Sequence, residues 1–314
     1  MKNANKCIIV SEWEYGAGKP GTSKGPQTLL DVCTNSQIRF MSEMSVFSVP
    51  QEIDDKEKVP LPEYLKRAAP FIKHQKGYAQ LVESCLNANR LPIILSGDHS
   101  NAVGSLAGFC RHFGCENTGV IWIDAHLDLH SPYTTPSGNI HGMALNASLN
   151  ADNLENQCNQ LDAETISLWD EIKSLKNKET TQQLNPKNIV FIGIRSYEKP
   201  EIALAKALGI NVIFAEDVKK NGIQWAIQEA EKLLSATSQW YVSFDVDSLD
   251  PSISKGTGTP VKGGLTIAEG DELMTYLYNQ EKVKAFEITE INPSLEDNNQ
   301  MSFAVAGLIE RNFV

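Results

Sequence analysis

Residues 119–130, GVIWIDAHLDLH, join a strongly apolar run to two aspartates and two histidines placed at every second position. Side chains of an extended chain alternate between its two faces, so these four polar groups would project in the same direction. They are Asp124, His126, Asp128 and His130. Carboxylates held this close repel one another and lose hydration unless a cation lies among them. The pattern therefore predicts a metal site.

Two other apolar runs end in residues of the same kind. The run PIIL is followed by SGDHS at 96–100, and the run WYVSF is followed by DVDSLDP at 245–251. In open parallel sheets, ligands bind beyond the carboxyl ends of the strands. We therefore expect His99, Asp245 and Asp247 to join the first group of side chains.

The combined set offers two imidazoles and four carboxylates, which is more than one small ion requires and suits two. The six candidate ligands are His99, Asp124, His126, Asp128, Asp245 and Asp247. Oxygen and nitrogen donors without a thiolate favour manganese, allow cobalt, iron or nickel, and make zinc a weaker candidate. Two such ions can share a water and lower its pKa, so the predicted chemistry is hydrolysis. The alternative is that these acids only cap helices and turns.

Metallophosphoesterases are a rival two-metal class, because they also use D-x-H, G-D and G-N-H elements. This chain contains GDH at 97–99 and GNIH at 138–141. Here, however, the D-x-H element follows GDH, and the sequence has no histidine after His141. The order argues against that class. A metal-binding protein without catalytic activity is the remaining alternative from another functional class.

The elements that must position these residues alternate along the chain. Seven short apolar runs are typical of buried strands, and helix-period segments lie between them at 62–86, 223–236 and 266–280. Strands that alternate with helices predict an α/β fold with a mostly parallel sheet covered on both faces. The runs are CIIV, PIIL, GVIWI, NIVFIGI, NVIFA, WYVSF and VKAFEI, which begin at residues 7, 92, 119, 188, 211, 240 and 283.

Composition limits what the chain can be. Its 314 residues are 41% hydrophobic and 21% charged, which is typical of a globular protein and predicts a single domain over 1–314. The polar, helix-prone residues 151–183 are expected to be a surface excursion, with two domains as the alternative. The formal net charge of -11 argues against nucleic acid and suits a small cationic substrate, although it also simply promotes solubility.

The cysteines and the amino-terminal segment bear on location. Six scattered cysteines form no CxxC pair, which indicates reduced thiols and a cytoplasmic protein. The segment MKNANKCIIVSEW has only four consecutive apolar residues, too few for a signal peptide or a membrane span. We therefore expect no association with membranes.

Six motifs, in their order and spacing, resemble the arginase branch of the ureohydrolase family. They are GDHS, DAHLD, SGNIHG, SFDVDSLDPS, TGTPVKGGL and EINPSL, and the similarity extends from about Gly25 to Ala306. The resemblance implies a three-layer α/β/α fold around an eight-stranded sheet and two manganese ions per subunit. It also implies hydrolysis of L-arginine to L-ornithine and urea by a hydroxide that bridges the metals. Relatives form trimers or hexamers, so a homo-oligomer is expected.

Motif by motif, the resemblance assigns roles to individual residues. One ion would take His99, Asp124, Asp128 and Asp245, and the other would take His126, Asp124, Asp245 and Asp247, so that Asp124 and Asp245 bridge. Asp128 would also orient the hydroxide and accept its proton. Glu290 would fix the guanidinium group, His141 would shuttle protons, and Thr259 would line the guanidinium pocket.

Substrate choice depends on the loop after Asp128. Ser137 and Asn139 match the pattern with which arginases bind a carboxylate, for which an agmatinase has little use. Two positions depart from the family. His130 replaces the usual asparagine, and Glu198 replaces an aspartate that receives the α-amino group through water. Both departures lie where arginine is distinguished from agmatine or a guanidino acid, so these sister activities stay open as alternatives.

Three more residues are expected to serve the structure. Trp122 and Trp240 lie within predicted strands and are interpreted as core. Arg195 follows a strand, and we expect it to pair with an acid rather than to bind substrate.

Overall fold

Eight strands form the centre of the fold. They are β1 (Lys6–Ser11), β2 (Ser45–Val49), β3 (Leu91–Ser96), β4 (Thr118–Ile123), β5 (Ile189–Ile194), β6 (Asn211–Phe214), β7 (Gln239–Asp245) and β8 (Val283–Thr289). They form one sheet in the order β2-β1-β3-β8-β7-β4-β5-β6, and every pairing is parallel. The structure is a computed structural model that describes residues 5–38, 44–51, 53–54, 56–177 and 183–313.

Helices connect the strands and cover both faces of the sheet. They are α1 (Gly25–Asn35), α2 (Ala68–Asn87), α3 (Ala102–Phe113), α4 (Ala144–Leu149), α5 (Ala163–Ser174), α6 (Lys199–Leu208), α7 (Ala215–Asn221), α8 (Ile223–Leu233), α9 (Ile267–Asn279) and α10 (Gln300–Phe313). One hydrophobic cluster packs between the sheet and α2 to α6, and a second packs between the sheet and the other helices. The predicted α/β/α architecture with an eight-stranded parallel sheet is confirmed.

Strand β4 shows why the central strands lack polar alternation. Val120 and Trp122 pack into the first hydrophobic cluster, and Ile121 and Ile123 pack into the second. A strand that is covered on both faces buries every side chain, so apolar residues occupy consecutive positions. In β4 the aspartates and histidines follow where the strand ends, and there they meet the site.

The structure differs from the sequence prediction at β2 and at the start of α2. Strand β2 lies at the edge of the sheet, and Val46 is 51% exposed, so this strand has no buried apolar run to reveal it. The helix predicted from residue 62 begins only at Ala68. Arg67 before it has a φ of 59°, outside the helical region, and its amide donates to the Leu61 carbonyl in a turn.

The strand order brings distant parts of the sequence to one edge. Strands β3 and β4 follow one another in the chain, but β8 and β7 lie between them in the sheet. The segments with candidate site residues follow β3, β8, β7, β4 and β5, which are contiguous. Their carboxyl ends therefore place all of these segments around one cleft.

The expected excursion at 151–183 includes α5, and its residues 178–182 lie outside the described residues. Trp169 of α5 is 1% exposed and belongs to the first hydrophobic cluster. Asp152 Oδ1 accepts hydrogen bonds from Trp169 Nε1 at 2.9 Å and from Lys173 Nζ at 2.7 Å. The start of the segment is therefore tied to a helix that is anchored in the core by Trp169.

In the part of the chain that the structure describes, no helix is long and apolar enough to cross a membrane. All six cysteines are free thiols, as their scattered spacing predicts. Only Cys158 among them is exposed.

Gly97 joins β3 to His99 and packs against the backbone of Trp13. A Cβ atom at Gly97 would stand 2.3 Å from the Trp13 carbonyl oxygen. Because main chain cannot yield as a flexible side chain does, we predict that Gly97→Ala lowers the free energy of unfolding by about 1–3 kcal/mol.

Denaturant unfolding of purified protein checks this prediction, with Gly77→Ala in α2 as the control. At Gly77 the nearest atom would be 3.7 Å away, and alanine is the better helix former, so the control should be at least as stable as the wild type. Unchanged stability in Gly97→Ala would contradict the close approach.

Candidate active site

The predicted site residues meet in one cleft at the carboxyl edge of the sheet. Counting its open mouth, the cleft has a volume of about 730 Å³, which suits a small molecule. The predicted residues that line it are His99, His126, Asp128, His130, Ser137, Asn139, His141, Glu198, Asp245, Asp247 and Thr259. The other two, Asp124 and Glu290, are 0% and 3% exposed and contact the lining residues from below.

A ring nitrogen of His99 faces three aspartates. Its Nδ1 atom lies 3.1 Å from Asp124 Oδ2, 3.1 Å from Asp128 Oδ2 and 3.2 Å from Asp245 Oδ2. This nitrogen is buried and has no hydrogen-bond partner. An imidazole nitrogen and three carboxylate oxygens that converge in this way fit a divalent cation, because each can donate a lone pair to it.

A second group of ligands forms around His126. Its Nδ1 atom lies 3.0 Å from Asp247 Oδ2 and 3.5 Å from Asp124 Oδ1. Asp124 thus presents one oxygen to each histidine, and it belongs to both metal-capable triads. Asp245 belongs to the first triad only, and its Oδ1 accepts a hydrogen bond from Asp247 N at 2.7 Å. Its bridging role stays a prediction, whereas two adjacent triads agree with a binuclear site.

The crowding of the buried carboxylates changes their pKa values. Burial raises the pKa of Asp245 well above its usual value, and repulsion from Asp247 and Asp124 adds to the effect. Burial and the charge of Asp124 also raise the pKa of Asp247. For Asp124, burial opposes ionisation, but hydrogen bonding to His126 and the close contact with the His99 imidazole outweigh it and lower the pKa. Such a cluster calls for additional positive charge, which divalent cations would supply.

Local backbone structure fixes the ligands. Asp124 Oδ1 accepts from His126 N at 2.7 Å, in the same two-residue pattern that joins Asp245 to Asp247. Aspartate favours such turns because its short carboxylate reaches the backbone two residues on. Asp128 adopts a φ of 50°, in the left-handed region. Non-glycine residues occupy that region only where the surrounding structure holds them there.

Two side chains behind His99 were not predicted as site residues. Trp122, expected as core, stacks on His99 with ring centroids 4.1 Å apart and donates Nε1 to Asp124 Oδ2 at 2.9 Å. Ser243 Oγ lies 2.8 Å from His99 Nε2, which leaves Nδ1 for a cation. The sequence held a signal for both. Each precedes a predicted aspartate by two positions and therefore points to the same face of its strand.

Glu290 contacts two site histidines with one oxygen. Its Oε1 atom accepts from His99 N at 2.9 Å and lies 3.3 Å from His141 Nδ1. Burial lowers the pKa of His141, but the charges of Glu290, Asp128 and Asp98 outweigh it and raise the value to about 9. These charges favour the protonated form of the His141 ring, which the sequence did not predict.

The two departures from the family pattern meet at the mouth of the cleft. His130 Nε2 lies 3.6 Å from Glu198 Oε2 and 3.5 Å from Glu201 Oε2. Glu201, which the sequence analysis missed, accepts from Leu129 N and Glu198 N at 3.2 and 2.9 Å. Burial raises the pKa of Glu201 to about 7. Its position three residues after Glu198, at the start of a helix, is a capping signal that marks it in the sequence.

Ser137 and Asn139 line the cleft from the loop that follows His130. Thr135 Oγ1 accepts from Ser137 N at 3.3 Å, and Ser137 Oγ accepts from Asn139 N at 3.2 Å, so the loop forms a chain of local hydrogen bonds. Thr259 Oγ1 donates to Asp247 Oδ2 at 3.0 Å. Thr259 therefore lies against the carboxylate cluster, whereas Ser137 and Asn139 belong to the mouth.

Arg195 has a structural position beside the aspartates, and its hydrogen bonds go to the main chain. Its guanidinium donates to the carbonyl oxygens of Gly193, Asp247 and Val261 at 3.0, 2.6 and 2.9 Å. These bonds join the end of β5 to the segment that carries Asp247. The predicted pairing with an acid takes the form of charge attraction, to Asp247 above all, whereas the hydrogen bonds of the guanidinium go to main-chain carbonyls.

Fold and cleft together fit the class of metal-dependent hydrolases, because two adjacent candidate metal triads lie at the carboxyl edge of a parallel sheet. The chain matches the Arginase family model over residues 5–314. It is 34% identical to the arginase of Bacillus subtilis (strain 168) over 307 residues, 96% of this chain and 95% of that protein. It is 30% identical to the arginase of Brevibacillus brevis, over 99% of this chain and 98% of that protein.

The solved structure of Bacillus caldovelox arginase matches the fold with a TM-score of 0.85, at 27% identity, over 99% of this chain and 98% of that chain. The chain therefore belongs to the arginase family, and it is a metal-dependent ureohydrolase. The family and enzyme class expected from the sequence are confirmed.

The contact between Glu290 and His141 predicts the ionisation of the imidazole. Glu290→Gln removes the charge that favours the protonated ring, so the pKa of His141 should fall from about 9 towards 6.5, by about one unit or more. NMR titration of the histidine ring signals checks this shift. Glu198→Gln, at the mouth, should leave the pKa of His141 unchanged, and an equal shift in both variants would contradict the assignment.

Proposed function

We propose that this protein hydrolyses L-arginine to L-ornithine and urea with two manganese ions. The observation that carries the proposal is the buried Nδ1 of His99, which faces three aspartate oxygens within 3.2 Å beside a second triad around His126. The substrates of this family carry a guanidino group, and the net charge of -11 suits such a cation.

Manganese is proposed from the chemistry of the donors. Oxygen and imidazole ligands without a thiolate suit manganese, and cobalt, iron or nickel are compatible with the same set. The proposed ligands are His99, Asp124, His126, Asp128, Asp245 and Asp247. When bound, the two ions supply a water whose pKa is low enough for nucleophilic attack near neutral pH.

Four side chains act at the guanidinium end of the substrate. Glu290 accepts hydrogen bonds from the guanidinium group and holds it still, and Thr259 completes that end of the pocket. Asp128 takes the proton released on attack and passes it to the departing amine. His141, whose side chain is 23% exposed, carries protons between the cleft and solvent.

The mouth of the cleft suits the α-carboxylate and α-ammonium groups of an amino acid, here called the amino-acid head. Ser137, Asn139 and His130 can donate hydrogen bonds to a carboxylate, and Glu198 can accept one from an ammonium group. His130 Nε2 lies 3.6 Å from Glu198 Oε2, so a hydrogen-bond donor and an acceptor are adjacent. This arrangement suits the adjacent carboxylate and ammonium groups of an amino acid. We assign the substrate as L-arginine on this pairing.

Three broader properties complete the proposal. We propose that the chain folds as a single domain and works in the cytoplasm, as its composition and free thiols suggest. A homo-oligomer, trimer or hexamer, is proposed from the family resemblance.

Substrate preference follows from the mouth of the cleft. The manganese-loaded protein should release urea from L-arginine with a kcat/KM at least about tenfold above that for agmatine or 4-guanidinobutyrate, because each of these lacks one charged group of the head. Urea assays at equal substrate concentrations check it. A preference for agmatine or the guanidino acid would contradict the assignment and direct attention to His130 and Glu198.

Metal removal should abolish turnover. Chelation followed by dialysis should lower urea release at least about a hundredfold, and added Mn²⁺ should restore it, because the proposed nucleophile is a water that only the bound ions activate. The control is the same treatment followed by Mg²⁺, which prefers oxygen ligands and should restore little. Full activity after chelation would contradict the metal-dependent mechanism.

A further inference from the structure

Residues 151–162, here called the support segment, contact both walls of the mouth of the cleft. The first wall is the loop at 130–139, which carries His130, Ser137 and Asn139. The second wall is the start of α6, where Glu198 and Glu201 line the cleft. In the proposed function the first wall binds the carboxylate of L-arginine and the second wall binds its α-ammonium group.

Asn159 makes the main connection to the first wall. Its side-chain Nδ2 donates to the carbonyl oxygens of Pro132 and Thr135 at 2.9 and 2.7 Å, and its main-chain amide donates to Tyr133 O at 3.0 Å. Ser131 Oγ adds a bond to Asp152 O at 2.6 Å. The loop that leads from His130 to Ser137 is therefore held along most of its length by the support segment.

Asn153 makes the connection to the second wall. Its Nδ2 donates to Pro200 O at 2.9 Å, and its Oδ1 accepts from Asn156 Nδ2 at 2.8 Å. Pro200 lies between Glu198 and Glu201 in the chain, so this bond fixes the backbone that carries both carboxylates. Asn153 has a φ of 59°, a conformation that asparagine tolerates better than most residues.

The support segment is itself anchored in the protein. Asp152 accepts hydrogen bonds from Trp169 and Lys173 of α5, and Trp169 is buried in the first hydrophobic cluster. A segment tied to the core and to both walls can fix the distance between them, because neither wall can move without breaking its bonds. None of these contacts involves a proposed metal ligand.

We propose that Asn159 and Asn153 are positioning residues for substrate selection. Asn159 fixes the first wall, which binds the carboxylate of the substrate, and Asn153 fixes the second wall, which binds the ammonium group. The inference rests on the proposed function, since a substrate with an amino-acid head engages both walls. Agmatine has the amine but no carboxylate, so it meets the second wall only.

Asn159→Asp is the sharpest test, because it keeps the side-chain size while it replaces two donated hydrogen bonds with an acceptor beside two carbonyls. The matched control is Gln160→Glu, the same amide-to-acid change at the next residue, whose side chain is exposed. We expect the KM for L-arginine to rise about tenfold in Asn159→Asp, with kcat changed less than about twofold. The kcat/KM for agmatine should stay within about twofold of the wild-type value.

Asn153→Asp tests the other wall, with 5-guanidinovalerate, which is arginine without its amino group, as the comparison. This variant should raise the KM for L-arginine about fivefold or more and leave kcat/KM for 5-guanidinovalerate within about twofold. An unchanged KM for L-arginine, or an equal loss on both substrates, would overturn the positioning role in either variant. If Asn159→Asp does not fold, Asn159→Ala replaces it with the same expected result.

Hydrogen exchange separates this inference from the proposed function. Amides at 131–139 should exchange about tenfold faster in metal-loaded Asn159→Asp than in the wild type, and at the wild-type rate in Gln160→Glu. Unchanged exchange in Asn159→Asp overturns the inference even if the wild type prefers L-arginine. A wild type that does not prefer L-arginine overturns the proposed function, while the exchange rates still decide whether the support segment holds the loop.

Discussion

Four buried aspartates repel one another at the carboxyl edge of the sheet, and the rest of the structure depends on how that repulsion is contained. Asp124, Asp128, Asp245 and Asp247 are 0%, 7%, 3% and 1% exposed, so water can compensate little of their charge. Two histidines face them, but the buried Nδ1 of His99 has no hydrogen-bond partner and is free to ligate. Buried carboxylates are kept in proteins where cations or strong hydrogen bonds offset their desolvation. The proposed pair of divalent cations would meet that requirement and would give the cluster its chemistry.

The fold supplies the rigidity that this arrangement needs. Strands β3, β8, β7 and β4 are adjacent, so their carboxyl ends bring together segments far apart in the sequence. Behind the ligands, Trp122 stacks on His99 and Ser243 contacts its second nitrogen, so the ring is held from two directions. Glu290 ties the His99 backbone to His141, which couples the ligand cluster to the group proposed to move protons. The mouth is built from loops and a helix start instead, and it depends on the support segment for its shape.

Features that depend on a local sequence pattern could be predicted, whereas features that depend on contacts between distant parts of the chain could not. Six strands were visible because burial on both faces produces continuous apolar runs. Strand β6, at one edge of the sheet, was visible because it is apolar in sequence although only Ile213 is buried, whereas β2 was missed because Val46 and its neighbours lie at the other, exposed edge. The metal-capable residues were predictable because aspartates and histidines follow strands at two-residue spacing. Glu201 and Ser243 were missed because their importance arises from contacts with residues distant in sequence, namely Leu129 and His99. The support segment was predicted only to be polar. The sequence does not distinguish an asparagine that hydrogen-bonds to main-chain carbonyls from one that hydrogen-bonds to water.

The number of metal ions bound per chain tests the central claim most directly. Protein freed of metal by chelation can be titrated with Mn²⁺ in a calorimeter, and the bound metal can be measured independently by elemental analysis after dialysis. The two triads that share Asp124 predict two ions per chain, with Asp124→Asn weakening both because its two oxygens face different histidines. Saturation at a single ion per chain, or binding that survives loss of the Asp124 carboxylate unchanged, would contradict the binuclear centre.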